Sequence, residues 1–241
     1  MSTAAKPTVV LVHGAFADAS SFAGVIPELL ARGLDLVVPA VPNRSLIGDA
    51  AYIASLVRQI PGPVILVGHS YGGAVITVAG VEDNVTGLVY LAGYALEKGE
   101  SLGELQGRFP DSDLASALVR TPVPADGPTG TDIDVSVLPD RFPAVFAADV
   151  DPRLAAVLAV SQRPLAARAF TEAAPAAAWQ TKPSWGLVAT ADHTINPDVE
   201  RYGYERAGMT TVEVDSSHLV MLSHPRRVAD LIEDAVRATS R

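Results

Sequence analysis

Apolar residues in the first 95 positions fall into two kinds of pattern. Continuous runs rich in β-branched side chains occupy Thr8–Val12, 34–38, 64–67 and Val85–Leu91. A strand with no polar side belongs between two covering layers, so these runs read as strands of a parallel sheet. Between them, apolar positions recur every three or four residues. The first such stretch carries Phe22, Val25, Ile26, Leu29 and Leu30 and stops at Gly33; the next covers 49–60 ahead of Pro61-Gly62-Pro63; a third covers 72–80. That spacing predicts helices, the first capped by Ser20 or Ser21.

Beyond residue 95 the rhythm breaks. Residues 96–163 are rich in Pro, Gly and Asp, with short helical patterns at 114–119 and 153–160. The alternation then resumes, with strands at 185–189 and Thr210–Val214 and helices at 197–207 and Pro225–Thr239. Strand and helix alternating at both ends predict one doubly wound α/β core made of residues 1–95 and 164–241. The irregular middle is too long for a simple loop. It is expected to be a cap or lid inserted at the carboxyl edge of the sheet, where open α/β folds bind ligands.

Length and composition agree with one such unit. The chain has 241 residues, 49% of them apolar and 19% charged, enough apolar material for a large core. The net charge of −9 argues against binding the phosphates of nucleic acid. There is no cysteine, which removes disulfides, thiolate nucleophiles and thiolate metal sites. Met1 to Lys6 lacks a basic start followed by an apolar run, and no apolar run is long enough to span a bilayer. The expectation is a cytoplasmic protein with no membrane partner and no metal or organic cofactor. A homodimer is left open.

The chemistry enters at Gly68-His69-Ser70-Tyr71-Gly72, a G-x-S-x-G motif between an expected strand and an expected helix. A nucleophile held on so tight a turn needs neighbours without side chains two positions away on each side, and Gly68 and Gly72 meet that need. A serine hydroxyl also needs a base. Of the five histidines, His218 lies in the loop between the last strand and the last helix and is the expected base, with His224 its rival. The base needs a carboxylate to hold its tautomer. Asp192, just after the strand at 185–189, is the first choice, and Glu97 the runner-up. Asp215 is too near His218 along an extended segment. Asp192 has a second reading as a turn or helix-cap residue before Asn196-Pro197. For the oxyanion, the expected donors are the backbone N–H groups of Tyr71 and Ala15, with Phe16 next. Phe16 is also read as a substrate-binding side chain or, equally, as core.

Taken together, 10–16, 67–73, Asp192 and His218 resemble the α/β-hydrolase superfamily, and the order Ser70, Asp192, His218 is its chain order. The resemblance is nearest to small bacterial hydrolases related to plant methyl esterases and hydroxynitrile lyases. The lyases carry Thr where Gly14 stands and Lys where Leu219 stands, so this chain is similar to the esterase branch. Haloalkane dehalogenases use Asp as nucleophile, which Ser70 argues against. The resemblance implies hydrolysis of a carboxylic ester or related acyl bond through a Ser70–His218–Asp192 triad, and the apolar content of the 96–163 segment suggests a small to medium apolar substrate. Alternatives are a lactonase, a hydrolase-like enzyme of secondary metabolism, or a ligand-binding protein on the same fold. The apolar residues Leu102, Leu105, Phe109, Leu118, Phe142, Val145 and Phe146 are expected either to shape the pocket or to form the core of the cap.

Overall fold

A computed structural model describes residues 6–125 and 130–240. Residues 1–5, which carry most of the amino-terminal reading, and 126–129, within the expected insertion, lie outside the described residues, as does residue 241. The first apolar runs form β1 (Thr8–Val12), β2 (Leu36–Val37), β3 (Val64–His69) and β4 (Val85–Leu91). Between them stand α1 (Val25–Ala31), α2 (Leu46–Gln59) and α3 (Tyr71–Ala79). Then come α4 (Leu102–Gln106), β5 (Leu118–Pro124), β6 (Thr131–Val137), α5 (Phe142–Phe146), α6 (Pro152–Val160) and β7 (Leu165–Ala166). The alternation resumes with β8 (Ser184–Ala189), α7 (Pro197–Arg206), β9 (Thr210–Val214), α8 (Val220–Ser223) and α9 (Pro225–Thr239).

Six strands pair in the order β2-β1-β3-β4-β8-β9, every pair parallel. All their carboxyl ends therefore lie on one edge. Register brings the loops after them together: Val12 stands opposite Gly68, His69 opposite Leu91, and Ala189 opposite Val214. Every residue of β3 is buried, as its unbroken apolar run implies. On one face α3 packs on β3 beneath α2; on the other, α9 lies against β3, β4 and β8 with Val228, Leu231, Ile232 and Ala235 buried.

The structure departs from the sequence reading in three places. The first helix is not capped by Ser20 or Ser21. Asp18 accepts the Ser20 N–H and caps a 3-10 turn at Ala19–Phe22, and α1 starts only after Gly24. An ionised carboxylate two residues ahead of the amide is the stronger acceptor there. The pattern at 114–119 is not one helical stretch: a 3-10 turn ends at Ala117 and β5 begins at Leu118. Finally, the middle of the chain contains an antiparallel sheet in the order β5-β6-β7. Its signal is in the sequence, since Ile133, Val135 and Val137 alternate with Asp132, Asp134 and Ser136. Pro122 and Pro124 fit because β5 is an edge strand.

Candidate active site

The chain reverses at Ser70 between β3 and α3 with φ 54° and ψ −122°, a backbone region strained for a residue bearing Cβ. Three backbone bonds hold it there: Ser70 N–H donates to Leu91 O (3.1 Å), and Ser70 O accepts from the N–H groups of Gly73 (2.9 Å) and Tyr94 (3.2 Å). A Cβ at Gly68 would overlap the Gly72 carbonyl, and one at Gly72 would overlap Val12 O. A Cβ at Gly14 would stand 2.7 Å from the Ser70 Cβ. The glycines thus let the turn form and let the loop after β1 touch it.

His218 and Asp192 project from the loops after β9 and β8 and meet at the same edge. Asp192 Oδ2 accepts from His218 Nδ1 at 2.5 Å, which leaves Nε2 as the lone-pair nitrogen. That Nε2 is buried and, among the described residues, has no hydrogen-bond partner. The other Asp192 oxygen, Oδ1, accepts the N–H groups of Thr194 (2.6 Å) and Ile195 (3.0 Å). Asp192 therefore closes a turn and faces the histidine at once, so its two sequence readings are compatible. The helix cap before Pro197 is supplied by Asn196, which accepts from Asp198 N–H.

The competing residues stand elsewhere. Glu97 faces Arg206 at 3.6 Å. His224 Nδ1 contacts Ser223 Oγ at 3.0 Å, and His193 pairs with Asp113 while half exposed. His13 accepts Val41 N–H at Nε2 and donates from Nδ1 to Gly14 O, bracing the loop after β1. His69 donates from Nε2 to the His218 carbonyl (3.0 Å). Burial, with the neighbouring His218 next in weight, holds the His69 imidazole well below its ordinary pKa; burial also lowers that of His13. Both are neutral scaffolding.

The two loops near Ser70 also carry free donors. Among the described residues neither Ala15 N–H nor Tyr71 N–H has a hydrogen-bond partner. The second is the first amide of α3, where no intrahelical acceptor exists. Phe16 N–H, by contrast, donates to Arg163 O (3.0 Å), with Phe16 at φ 61°. The Tyr71 hydroxyl donates to buried Asp49 at 2.7 Å, which ties the start of α3 to α2.

Side chains from the middle of the chain roof this cluster. The Phe146 ring stands edge-on to His218 with centroids 4.7 Å apart, and Phe16 packs on Phe146. Phe16, Phe142, Phe146, Leu158 and Leu219 help to line a cavity of about 10 Å³, about the space of one water. Of the seven apolar residues named from sequence, Leu102, Leu105, Phe142, Val145 and Phe146 are buried, whereas Phe109 and Leu118 are only partly so.

Two acidic residues of this region were not singled out from the sequence. Asp149 accepts from Ser216 Oγ (2.9 Å), Ser217 N–H (3.1 Å) and Ser217 Oγ, and so pins the loop that carries His218. Burial pushes the Asp149 carboxyl up, but these donors outweigh it and leave the group below its ordinary pKa. Glu200, on α7, is wholly buried behind Asp192. Nothing in a linear pattern marks either one, since each acts on a loop far away along the chain. Among the described residues no group of three or more His, Asp or Glu side chains is placed to hold a metal ion, and no helix is long and apolar enough to cross a membrane.

Residues 9–231 match the sequence profile of the alpha/beta hydrolase family. A carbendazim hydrolyzing esterase of Nocardioides sp. (strain SG-4G) is 36% identical over 109 residues, 39% of this chain and 44% of that protein. A pyrethroid hydrolase of Sphingobium wenxiniae is 31% identical over 97 residues, 34% of each chain. The chain thus spans less than half the length of the curated relatives it matches. Among solved structures, polyneuridine aldehyde esterase superposes with a TM-score of 0.82 at 16% identity, covering 95% of this chain and 99% of the other.

Proposed function

The chain belongs to the alpha/beta hydrolase family, and from that premise we propose that it is a serine hydrolase acting on a carboxylic ester or related acyl bond. The observation that carries the reading is the buried Asp192–His218 pair at 2.5 Å, whose free Nε2 lies on the same sheet edge as the strained Ser70 turn. In this mechanism Ser70 Oγ attacks the acyl carbon while His218 Nε2 takes its proton. Asp192 holds Nδ1–H and offsets the imidazolium charge. The oxyanion is held by Ala15 N–H and Tyr71 N–H; the engagement of Phe16 N–H by Arg163 favours Ala15 as the first donor. Collapse of the adduct expels the alcohol, protonated by His218, and water repeats the sequence on the acyl-enzyme.

The partial relatives are a hydrolase and an esterase by name, in keeping with this chemistry. The roof of Phe16, Phe142 and Phe146 favours an apolar substrate. The test is turnover of a chromogenic short-chain ester together with labelling by a fluorophosphonate. Turnover with label on Ser70 alone is expected. A folded protein that neither turns over esters nor takes the label would overturn the reading.

A further inference from the structure

Directly behind Asp192 lies a second carboxyl that the mechanism above does not use. Glu200 has no exposed surface, and its side chain reaches from α7 to the end of β8, where Oε2 accepts Ala189 N–H at 3.1 Å. Its other oxygen, Oε1, is buried and, among the described residues, meets no donor. Asp192 is held at the same residue, its own N–H donating to Ala189 O at 3.2 Å, so the two buried acidic side chains are neighbours around Ala189. Two acidic groups this close in a buried site do not both ionise. Their surroundings decide which one keeps the charge. Asp192 accepts three N–H bonds, from His218, Thr194 and Ile195, against one for Glu200.

The other groups facing Glu200 leave that assignment unchanged. Tyr204, one turn along α7, donates its hydroxyl proton to Gly93 O, and the Tyr94 hydroxyl, from the loop after β4, donates to Gln106. Arg201 points to the surface, where Glu213 and Asp198 engage it. No donor among the described residues reaches Oε1.

We infer that Glu200 is a positioning residue that stays protonated at neutral pH and donates an O–H hydrogen bond from Oε1 to the Asp192 carboxylate, extending the Ser70–His218–Asp192 arrangement to a fourth group. Burial first, and the Asp192 charge second, hold the Glu200 pKa well above its ordinary value, in keeping with this assignment. The hydrogen bond fixes the plane of the Asp192 carboxylate and draws some of its charge away from His218. It also keeps a second negative charge out of the site. The inference rests on the serine-hydrolase reading.

The experiment compares the kcat and the pH profile of kcat/KM of the wild-type chain with those of Glu200→Gln and Glu200→Leu. Gln retains a neutral donor of the same length, whereas Leu removes it. Loss of one hydrogen bond to a charged acceptor predicts about tenfold lower kcat in Glu200→Leu, most of it restored in Glu200→Gln. With the donor gone, Asp192 bears more charge toward His218, the imidazolium is stabilised, and the acid limb moves to higher pH in the Leu variant only. Infrared difference spectra at neutral pH should show a protonated carboxyl band that Glu200→Gln lacks. That comparison stands even where the Leu variant does not fold. Equal losses in Gln and Leu, or no protonated carboxyl in the wild type, would overturn the inference while Ser70→Ala stays inactive. Wild-type turnover in Ser70→Ala would instead overturn the hydrolase reading, and with it the role of Glu200.

Discussion

Replacing Asp192 by Asn tests the acid through its hydrogen bonds, because the amide is nearly isosteric and has only two orientations. With its oxygen kept toward Thr194 N–H and Ile195 N–H, the amide N–H₂ points at His218 Nδ1. Nδ1 must then accept, the ring proton moves to Nε2, and the lone pair that takes the Ser70 proton is gone. Flipping the amide restores the working tautomer but sets N–H₂ against two buried N–H donors. Leaving each without an acceptor costs about 1–3 kcal/mol, so the working orientation lies roughly 2–6 kcal/mol higher. At about 1.4 kcal/mol per decade, that reduces the competent enzyme by about 30-fold to 10⁴-fold, before the lost charge opposite the imidazolium is counted. A serine protease with the same three groups loses about 10⁴-fold in kcat for the equivalent change. The assay is kcat on a chromogenic ester, with Tm as the check on folding. Glu97→Gln, as control, alters a half-exposed carboxyl paired with Arg206 and should change kcat by less than about twofold. A folded Asp192→Asn variant that keeps a third or more of wild-type kcat would refute the argument, as would a larger loss in Glu97→Gln.

Ser70→Ala should leave Tm nearly unchanged, abolish fluorophosphonate labelling and remove almost all turnover; near wild-type kcat would exclude the serine as nucleophile. His218→Ala should approach the loss in Ser70→Ala, whereas His224→Ala retains most of the activity, since His224 faces Ser223 at 3.0 Å and Asp149 at 3.8 Å and makes no bond to Asp192; the reverse order would move the base. Gly14→Ala forces a methyl to 2.7 Å from the Ser70 Cβ, so kcat should fall more than KM changes, and an unchanged kcat would mean that the two loops are not tightly apposed. Stability should fall below pH of about 6.5, because His13 and His69 stay neutral in the fold while their unfolded imidazoles take up protons; His69→Gln should flatten that fall in a Tm series, and an unaltered slope would show that His69 titrates freely. Glu200 carries the opposite sign. Its raised pKa gives stability that is complete below the unfolded value of about 4.3 and is lost as pH rises. The Tm of Glu200→Gln relative to wild type should therefore climb between about pH 5 and pH 8, and a constant difference would count against a protonated Glu200.

What the chain discloses by itself is what depends on neighbours in sequence. The unbroken apolar runs at Thr8–Val12 and Val85–Leu91 can be satisfied only between two layers, so the parallel core is legible in the runs themselves. The turn at Ser70 is equally local, since Gly68, Gly72 and the flanking strand and helix lie within a few residues of the strained position. The period-two pattern of Thr131–Val137 is local too, and the Pro and Asp residues around it mask it. Pairing across the fold is different. His218 and His224 sit on the same short stretch, and only the packing of the loops after β8 and β9 puts the first against Asp192, while the second stays beside its chain neighbour Ser223. Asp149 pins the His218 loop from 68 residues away in sequence, and Glu200 owes its burial to α7 lying against β8. An acidic residue in a polar helix reads as solvent-facing from sequence. Its chemistry changes only when folding removes water and sets another carboxyl beside it, because desolvation and proximity belong to the three-dimensional packing and leave no trace in the linear pattern.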